Sequence, residues 1–181
     1  MLRISSIKNR SWLLLPLAIS LTGCGLKQTV TDGTKSAFTA VFYKKIKTLH
    51  LDFTARETLN TDARENNSLS ESVVIRIYQL KDRKAFDQSV YQQLVKEGDT
   101  ILSPDLLASR DVVLKPGGAA SLDMPMEPET NFVAIVGLFR HPDSVNDRWK
   151  WVLERNDLDP DKPRIIEAGA SQLMLQPVKE P

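Results

Sequence analysis

Seven or eight short runs of β-forming residues, each closed by a turn-rich break, constrain this chain more than any other feature. In Thr48 to Thr54, Leu49, Leu51 and Phe53 alternate with His50, Asp52 and Thr54, so one face is apolar and the other polar. That pattern is a half-buried strand. Ser72 to Leu80 is rich in β-branched residues and sets Val73, Ile75 and Ile77 on one face. Asp111 to Leu114 and Ser121 to Met124 flank the turn Lys115-Pro116-Gly117-Gly118, which reads as a hairpin turn. Asn131 to Arg140 is apolar on both faces, as a covered central strand is. Arg148 to Leu153, Arg164 to Ala168 and Ser171 to Gln176 complete the set. The spacing predicts an all-β, two-sheet β-sandwich rather than a parallel α/β sheet.

Two segments break the strand pattern. Arg56 to Ser70 has no apolar periodicity and is full of Asn, Asp, Ser and Glu. It joins the first two strands as a hairpin whose connection far exceeds the usual loop of about two to five residues. It is then either a functional loop or an unstructured surface loop. The second break is helical. Asp82 is placed to cap a helix over Arg83 to about Glu97, with Phe86, Val90 and Leu94 at i, i+4, i+8 and Tyr91 beside them. Ser103-Pro104 reads as an N-cap with proline at the first helical position, starting a short turn through Asp105 to Ala108. The small inserted helical segment is thus expected at about 82–108, its apolar stripe docked on a sheet.

The N-terminus carries Arg3, Lys8 and Arg10, then the apolar stretch Trp12 to Leu21, then Leu21-Thr22-Gly23-Cys24. A basic start, a short apolar region and small residues before a cleavage point make a secretory signal peptide over 1–23. The apolar stretch is too short for a bilayer span, which needs roughly 20 residues. Leu-Thr-Gly-Cys resembles the lipobox of bacterial lipoproteins, in which the cysteine thiolate takes a diacylglycerol and becomes the new N-terminus. Its two acyl chains, and usually a third on the amine, suffice for stable anchoring. The alternative is a free or buried cysteine behind an ordinary signal peptide. Gly25 stands where Asp would retain an enterobacterial lipoprotein in the inner membrane, which favours the outer membrane, facing the periplasm. Residues 24–46 then form a lipidated tether, with Ala37 to Tyr43 apolar enough to pack, and 47–181 the sandwich domain.

Little chemistry is visible. Cys24 is the only cysteine, so disulfides and cysteine-ligated metals are excluded from the mature domain. Removing residues 1–23 leaves 21 basic and 23 acidic side chains, a formal charge of −2. Such a balance does not fit nucleic-acid binding. His50 and His141 lie outside any metal-ligand spacing and read as a solvated strand residue and a turn residue. Asp157, Asp159 and Asp161 open like a calcium loop but lack its glycine and its bidentate glutamate, so they read as a solvated acidic loop. Trp149 and Trp151 are two apart and suit either a core strand or an exposed aromatic platform, the core being favoured. No cofactor, metal or catalytic residue is expected, and a binding or scaffolding role is.

The run Val74 to Asp82 (Val-Ile-Arg-Ile-Tyr-Gln-Leu-Lys-Asp) is followed by Phe86, Leu106-Leu107, Leu114-Lys115-Pro116-Gly117, Val136-Gly137-Leu138-Phe139-Arg140 and Trp149. In that order, behind a lipobox, these residues resemble the TssJ (SciN) family, the outer-membrane lipoproteins of type VI secretion systems. The resemblance runs from about residue 46 onward. It implies a transthyretin-like β-sandwich with an added helical segment and no catalytic activity. It also implies a partner, the periplasmic C-terminal region of the inner-membrane protein TssM, which associates with TssL. The family's loop between its first two strands, implicated in the TssM contact, corresponds to Arg56 to Ser70. Leu59-Asn60-Thr61-Asp62 resembles the family's Leu-Asn-Pro-Asp, with Thr61 in place of proline. The expected docking residues are Leu59 and Leu69 as apolar anchors with Asn60, Thr61, Asp62, Arg64 and Asn66 around them. The competing expectation is a periplasmic ligand-binding lipoprotein or an inhibitor of a cell-wall enzyme.

Overall fold

The computed structural model describes residues 46–62, 64–66 and 68–177. The expected signal peptide, the lipidation site Cys24 and the apolar segment 37–43 lie outside the described residues. Eight strands are present: β1 (Thr48–Ala55), β2 (Val73–Leu80), β3 (Leu106–Leu114), β4 (Ala119–Pro125), β5 (Phe132–Gly137), β6 (Lys150–Glu154), β7 (Arg164–Ala168) and β8 (Leu173–Leu175). They form two four-stranded sheets, ordered β4-β1-β7-β8 and β3-β2-β5-β6. Only β1 and β7 run parallel; every other neighbouring pair is antiparallel.

The expected sandwich is therefore observed, and its core is the alternation read out twice. Leu49, Leu51 and Phe53 of one sheet and Val73, Ile75 and Ile77 of the other are all at most 1% exposed. Tyr78 and Leu80 point to the opposite face of β2, yet they too are fully buried. Two helices cover that face, α1 (Lys84–Gln88) and α2 (Tyr91–Leu102), and they bury Phe86, Leu94 and Leu102. The second sheet is thus covered on both sides, which explains why β5 is apolar on both faces. Trp149 is core, as favoured, while Trp151 is half-buried and donates its indole N–H to the Leu173 carbonyl at 3.0 Å.

Three expectations need correction. First, β1 and β2 are not a hairpin. β1 lies between β4 and β7, and β2 between β3 and β5, so both edges of each strand are taken. The connection 56–72 crosses from one sheet to the other. Lys115–Gly118 does the same, carrying edge strand β3 into edge strand β4 of the other sheet. Gly117 takes φ +65 there, with the Glu57 carboxylate where a side chain would point.

Second, the helical segment is two helices. Val90 is extended (φ −89, ψ 159) and accepts no place in the stripe; it is 60% exposed. The Ser89 hydroxyl bonds back to the Ala85 carbonyl at 2.7 Å, and Gln93 accepts from the Val90 N–H at 3.0 Å, opening a new helix. Third, Ser103 caps the end of α2, and no helical turn follows it. Leu106 and Ala108 already pair with Leu80 and Gln79 in β3, with a bulge between them.

The topology gives the sandwich two poles. At one, Ile46 enters the body beside the connections 126–131 and 155–163. Here Met126 N–H donates to the Lys47 carbonyl at 2.9 Å, and Arg155 donates to the carbonyls of Ile46, Glu127, Pro128 and Thr130 at 2.8–3.1 Å. Buried Gln79 closes the same end, bonded to Pro125, Glu127 and Thr130. At the other pole lie the connections β1–β2, β3–β4, β5–β6 and β7–β8. They are tied together by Ala55 N–H to Gly118 O at 2.8 Å, Asn60 N–H to Gly169 O at 3.2 Å and Asp143 N–H to Ser171 O at 2.9 Å.

Candidate docking site

The β1–β2 connection is built from inside out. Leu59 is fully buried in the core, so it is no surface anchor. Its carbonyl accepts from Glu71 N–H at 3.1 Å, which closes the base of the loop. Asn60 is 3% exposed and left-handed (φ 53), a conformation that asparagine tolerates better than most residues. Its amide donates to the Ser72 carbonyl at 3.1 Å, and its oxygen accepts from Arg140 N–H at 2.8 Å. One side chain thereby joins the two arms of the loop to the β5–β6 connection.

Asp62, also buried, organises the tip. It accepts from Arg64 three times, through the backbone N–H (3.0 Å), Nε (2.9 Å) and Nη2 (3.0 Å), and it sits 2.7 Å from His141 Nε2. Its own N–H donates to Ser68 Oγ at 2.5 Å. The guanidinium of Arg64 holds its carboxyl down at about 2, well below the usual carboxylate range. Arg140 adds a fork, 3.1 Å from Glu71 and 3.1 Å from Glu65. Thr61, which stands where the family pattern has proline, donates to the Thr58 carbonyl at 3.3 Å and is half-buried.

Of the seven residues expected to dock, Leu59, Asn60 and Asp62 therefore face inward and shape the loop. Thr61 is half-buried, and Arg64, Asn66 and Leu69 face solvent. Leu69 is 76% exposed. Arg140 and His141 join the network from the β5–β6 connection, eighty residues away in sequence. Arg140 left one trace in the sequence, a cation ending an otherwise apolar strand. His141 read only as a turn residue.

The other candidates do not converge on this pole. His50 pairs across strands with Asp123 at 2.5 Å on the outer face of the first sheet. Asp159 accepts from the Asp161 N–H at 2.8 Å in a local turn at the opposite pole. Among the described residues, no group of three or more His, Cys, Asp or Glu side chains is arranged to hold a metal ion, and no helix is long and apolar enough to cross a membrane.

Exposed aliphatic groups are concentrated at the loop pole. Of the five large ones among the described residues, Leu69, Val90, Val113 and Val145 lie at that end, and only Ile165 does not. Val90 belongs there because α1 runs up the sheet to this pole and α2 runs back. The Tyr91 hydroxyl beside it donates to the Phe139 carbonyl. Burial pushes that phenol up to about 12, so it remains a donor at neutral pH. Single exposed aliphatic side chains are ordinary on a protein surface; what sets these apart is that four of the five share one end of the sandwich.

Comparison with known proteins identifies the family. Residues 47–173 match the family described as T6SS-SciN: type VI secretion lipoprotein, VasD, EvfM, TssJ, VC_A0113. A chain from the structure described as T6SS protein TssM C-terminal domain from EAEC is 44% identical. It aligns with a TM-score of 0.66 over 74% of this chain and 100% of that one. A chain from a type VI membrane complex is also 44% identical, with a TM-score of 0.68 over 74% and 100%. The T6SS lipoprotein TssJ1 from Pseudomonas aeruginosa, at 21% identity, shares the fold, with a TM-score of 0.58 over 74% and 98%. No curated protein matches the chain.

Proposed function

The chain belongs to the type VI secretion lipoprotein family that includes TssJ and SciN, and from that premise we propose that it moors the periplasmic part of TssM to the outer membrane. In this reading Cys24 carries the lipid, the following residues form the tether, and the loop pole grips the TssM C-terminal region. TssL enters the assembly through TssM. The role is scaffolding, and no step of it needs catalysis.

One observation carries the docking assignment. The exposed aliphatic side chains cluster at the pole opposite Ile46, where the tether enters. The proposed contact surface then lies at the end of the sandwich remote from Ile46. The loop is fixed before binding by Asn60, Asp62 and Arg140, so little ordering entropy is lost on contact. Hot spots are few in most interfaces, and among the described residues Leu69 is the large apolar group of this loop that is exposed to a partner. The similarity to chains from TssM-containing and type VI membrane-complex structures supports the choice of partner.

Leu69→Asp is expected to leave the melting temperature unchanged and to abolish copurification of TssM from cross-linked cells. Copurification at the original level would rule the loop out as the contact. Cys24→Ser is expected to move the protein from the membrane fraction to the soluble periplasm; retention in the membrane fraction would overturn lipid anchoring.

A further inference from the structure

A second feature of the loop pole lies outside the β1–β2 connection. The turn between α1 and α2 faces the β5–β6 connection across a cleft of about 580 Å³. Its floor is Tyr91 against Trp149, edge to face, with ring centroids 5.1 Å apart. Val90 stands on one rim, more than half exposed. Arg140 and His141 form one end, and their other bonds hold the β1–β2 loop. The cleft and the loop are therefore one continuous surface.

Inside the cleft sits a cation that no carboxylate of the described residues pairs with. The Lys150 ammonium is 4.9 Å from the centroid of Trp149 and 5.7 Å from that of Phe86. It makes only long contacts to the carbonyls of Ser89 (3.4 Å) and Asp87 (3.5 Å). Among the described residues no carboxylate pairs with it. The two nearby acids are otherwise engaged. Asp87 takes Arg83 through both oxygens, at 2.7 and 3.1 Å. Asp147 accepts from the Trp149 indole at 3.2 Å. A half-buried ammonium held over aromatic rings is stabilised further by an anion, because charge-assisted hydrogen bonds are the strong ones.

We propose that this cleft takes a second segment of the same polypeptide that the β1–β2 loop grips, with an aliphatic side chain against Val90 and a carboxylate on Lys150. The inference rests on the docking reading above and extends it to a bipartite interface. The loop supplies an apolar knob, Leu69, and the cleft supplies a socket in which the Lys150 cation has no carboxylate partner among the described residues. The two are joined by Arg140 and His141, so a partner that engages one is positioned for the other.

The test is site-specific photo-crosslinking in cells that produce the full-length protein with TssM, p-benzoylphenylalanine replacing Val90, Leu69 or, as a control, Ile165. Crosslinks to TssM from 69 and 90 and none from 165 are expected. A crosslink from 69 without one from 90 overturns the cleft and leaves the docking reading intact. Absence from both overturns both. A crosslink from 90 to a different protein also overturns the cleft assignment. In parallel, Lys150→Met, which keeps the stem over the rings, is expected to weaken binding of the TssM C-terminal region to the detergent-solubilised protein about tenfold at low salt. That loss should shrink as salt rises, and Lys150→Arg should retain most of the affinity. Unchanged affinity in Lys150→Met would remove the charge from the proposal.

Discussion

At the scale of single residues, the site divides into groups that touch and groups that shape. Asn60 and Asp62 are polar, yet both are buried, and each is bonded within the loop and to the β5–β6 connection. Asp62 shows what this costs and returns. Its carboxylate is held by Arg64, so its folded pKa of about 2 lies below the ordinary 3.8. A depressed carboxylate contributes stability that is complete above pH 3.8 and is lost as pH falls through about 2. Order at the loop tip is accordingly expected to be constant through neutral and mildly acidic pH and to melt only in that acid window. Amide hydrogen exchange at Arg64, Glu65, Asn66 and Ser68 measures it. In Asp62→Asn the acid phase should vanish, with exchange already fast at neutral pH. The inward aim of these residues was not legible in the sequence. A stretch of Leu, Asn, Thr and Asp has no period, and burial here comes from Arg140 and His141, which only the fold brings near.

At the scale of elements, periodicity was a good guide to strands and a poor one to their partners. Leu49, Leu51 and Phe53 establish that β1 has an apolar face, but no local feature states which strand lies beside it. A long hairpin loop and a crossover between sheets look alike in sequence, and β1–β2 is the crossover. The helical segment failed for a related reason. Phe86 and Leu94 are one stripe whether or not the helix breaks between them, because two short helices packed on one sheet bury the same spacing. Leu106 to Ala108 was drawn into a helical turn by Ser103-Pro104, and sheet pairing with Leu80 and Gln79 overrides that local preference. The tight packing of α2 on β2 yields a test. Alanine is normally favoured over glycine inside a helix by roughly 0.5–1 kcal/mol. At Gly98, however, a Cβ would press on the buried Tyr78 hydroxyl. Overpacking costs about 1–3 kcal/mol, and Tyr78 has no exposed space to move into. Gly98→Ala is thus expected to lower stability by about 1–2 kcal/mol in urea denaturation, against the intrinsic preference. A gain would show that α2 can lift from the sheet.

At the scale of the whole molecule, the two poles carry different loads across a stiff body. β1 runs from one to the other, and its eight residues span about 26 Å at a strand's rise. At the entry pole the load is mechanical. Arg155 collects carbonyls from Ile46 and from three residues of the β4–β5 connection, so Ile46, the start of the described body, is clamped to the sandwich. At the loop pole the proposed load is recognition, through the exposed Leu69 and its surroundings. Groups this far apart with no shared partners contribute independently. Arg155→Met leaves several carbonyls short of a donor, and with carbonyls near the surface the loss should be about 1–3 kcal/mol. Leu69→Asp should remove TssM binding and leave stability alone. The double variant should show both losses at full size, read by denaturation and by binding on the same samples. If Arg155→Met alone weakened TssM binding while the fold persisted, the poles would be coupled through the sheets. The body would then be a transmitter between its two poles rather than a spacer.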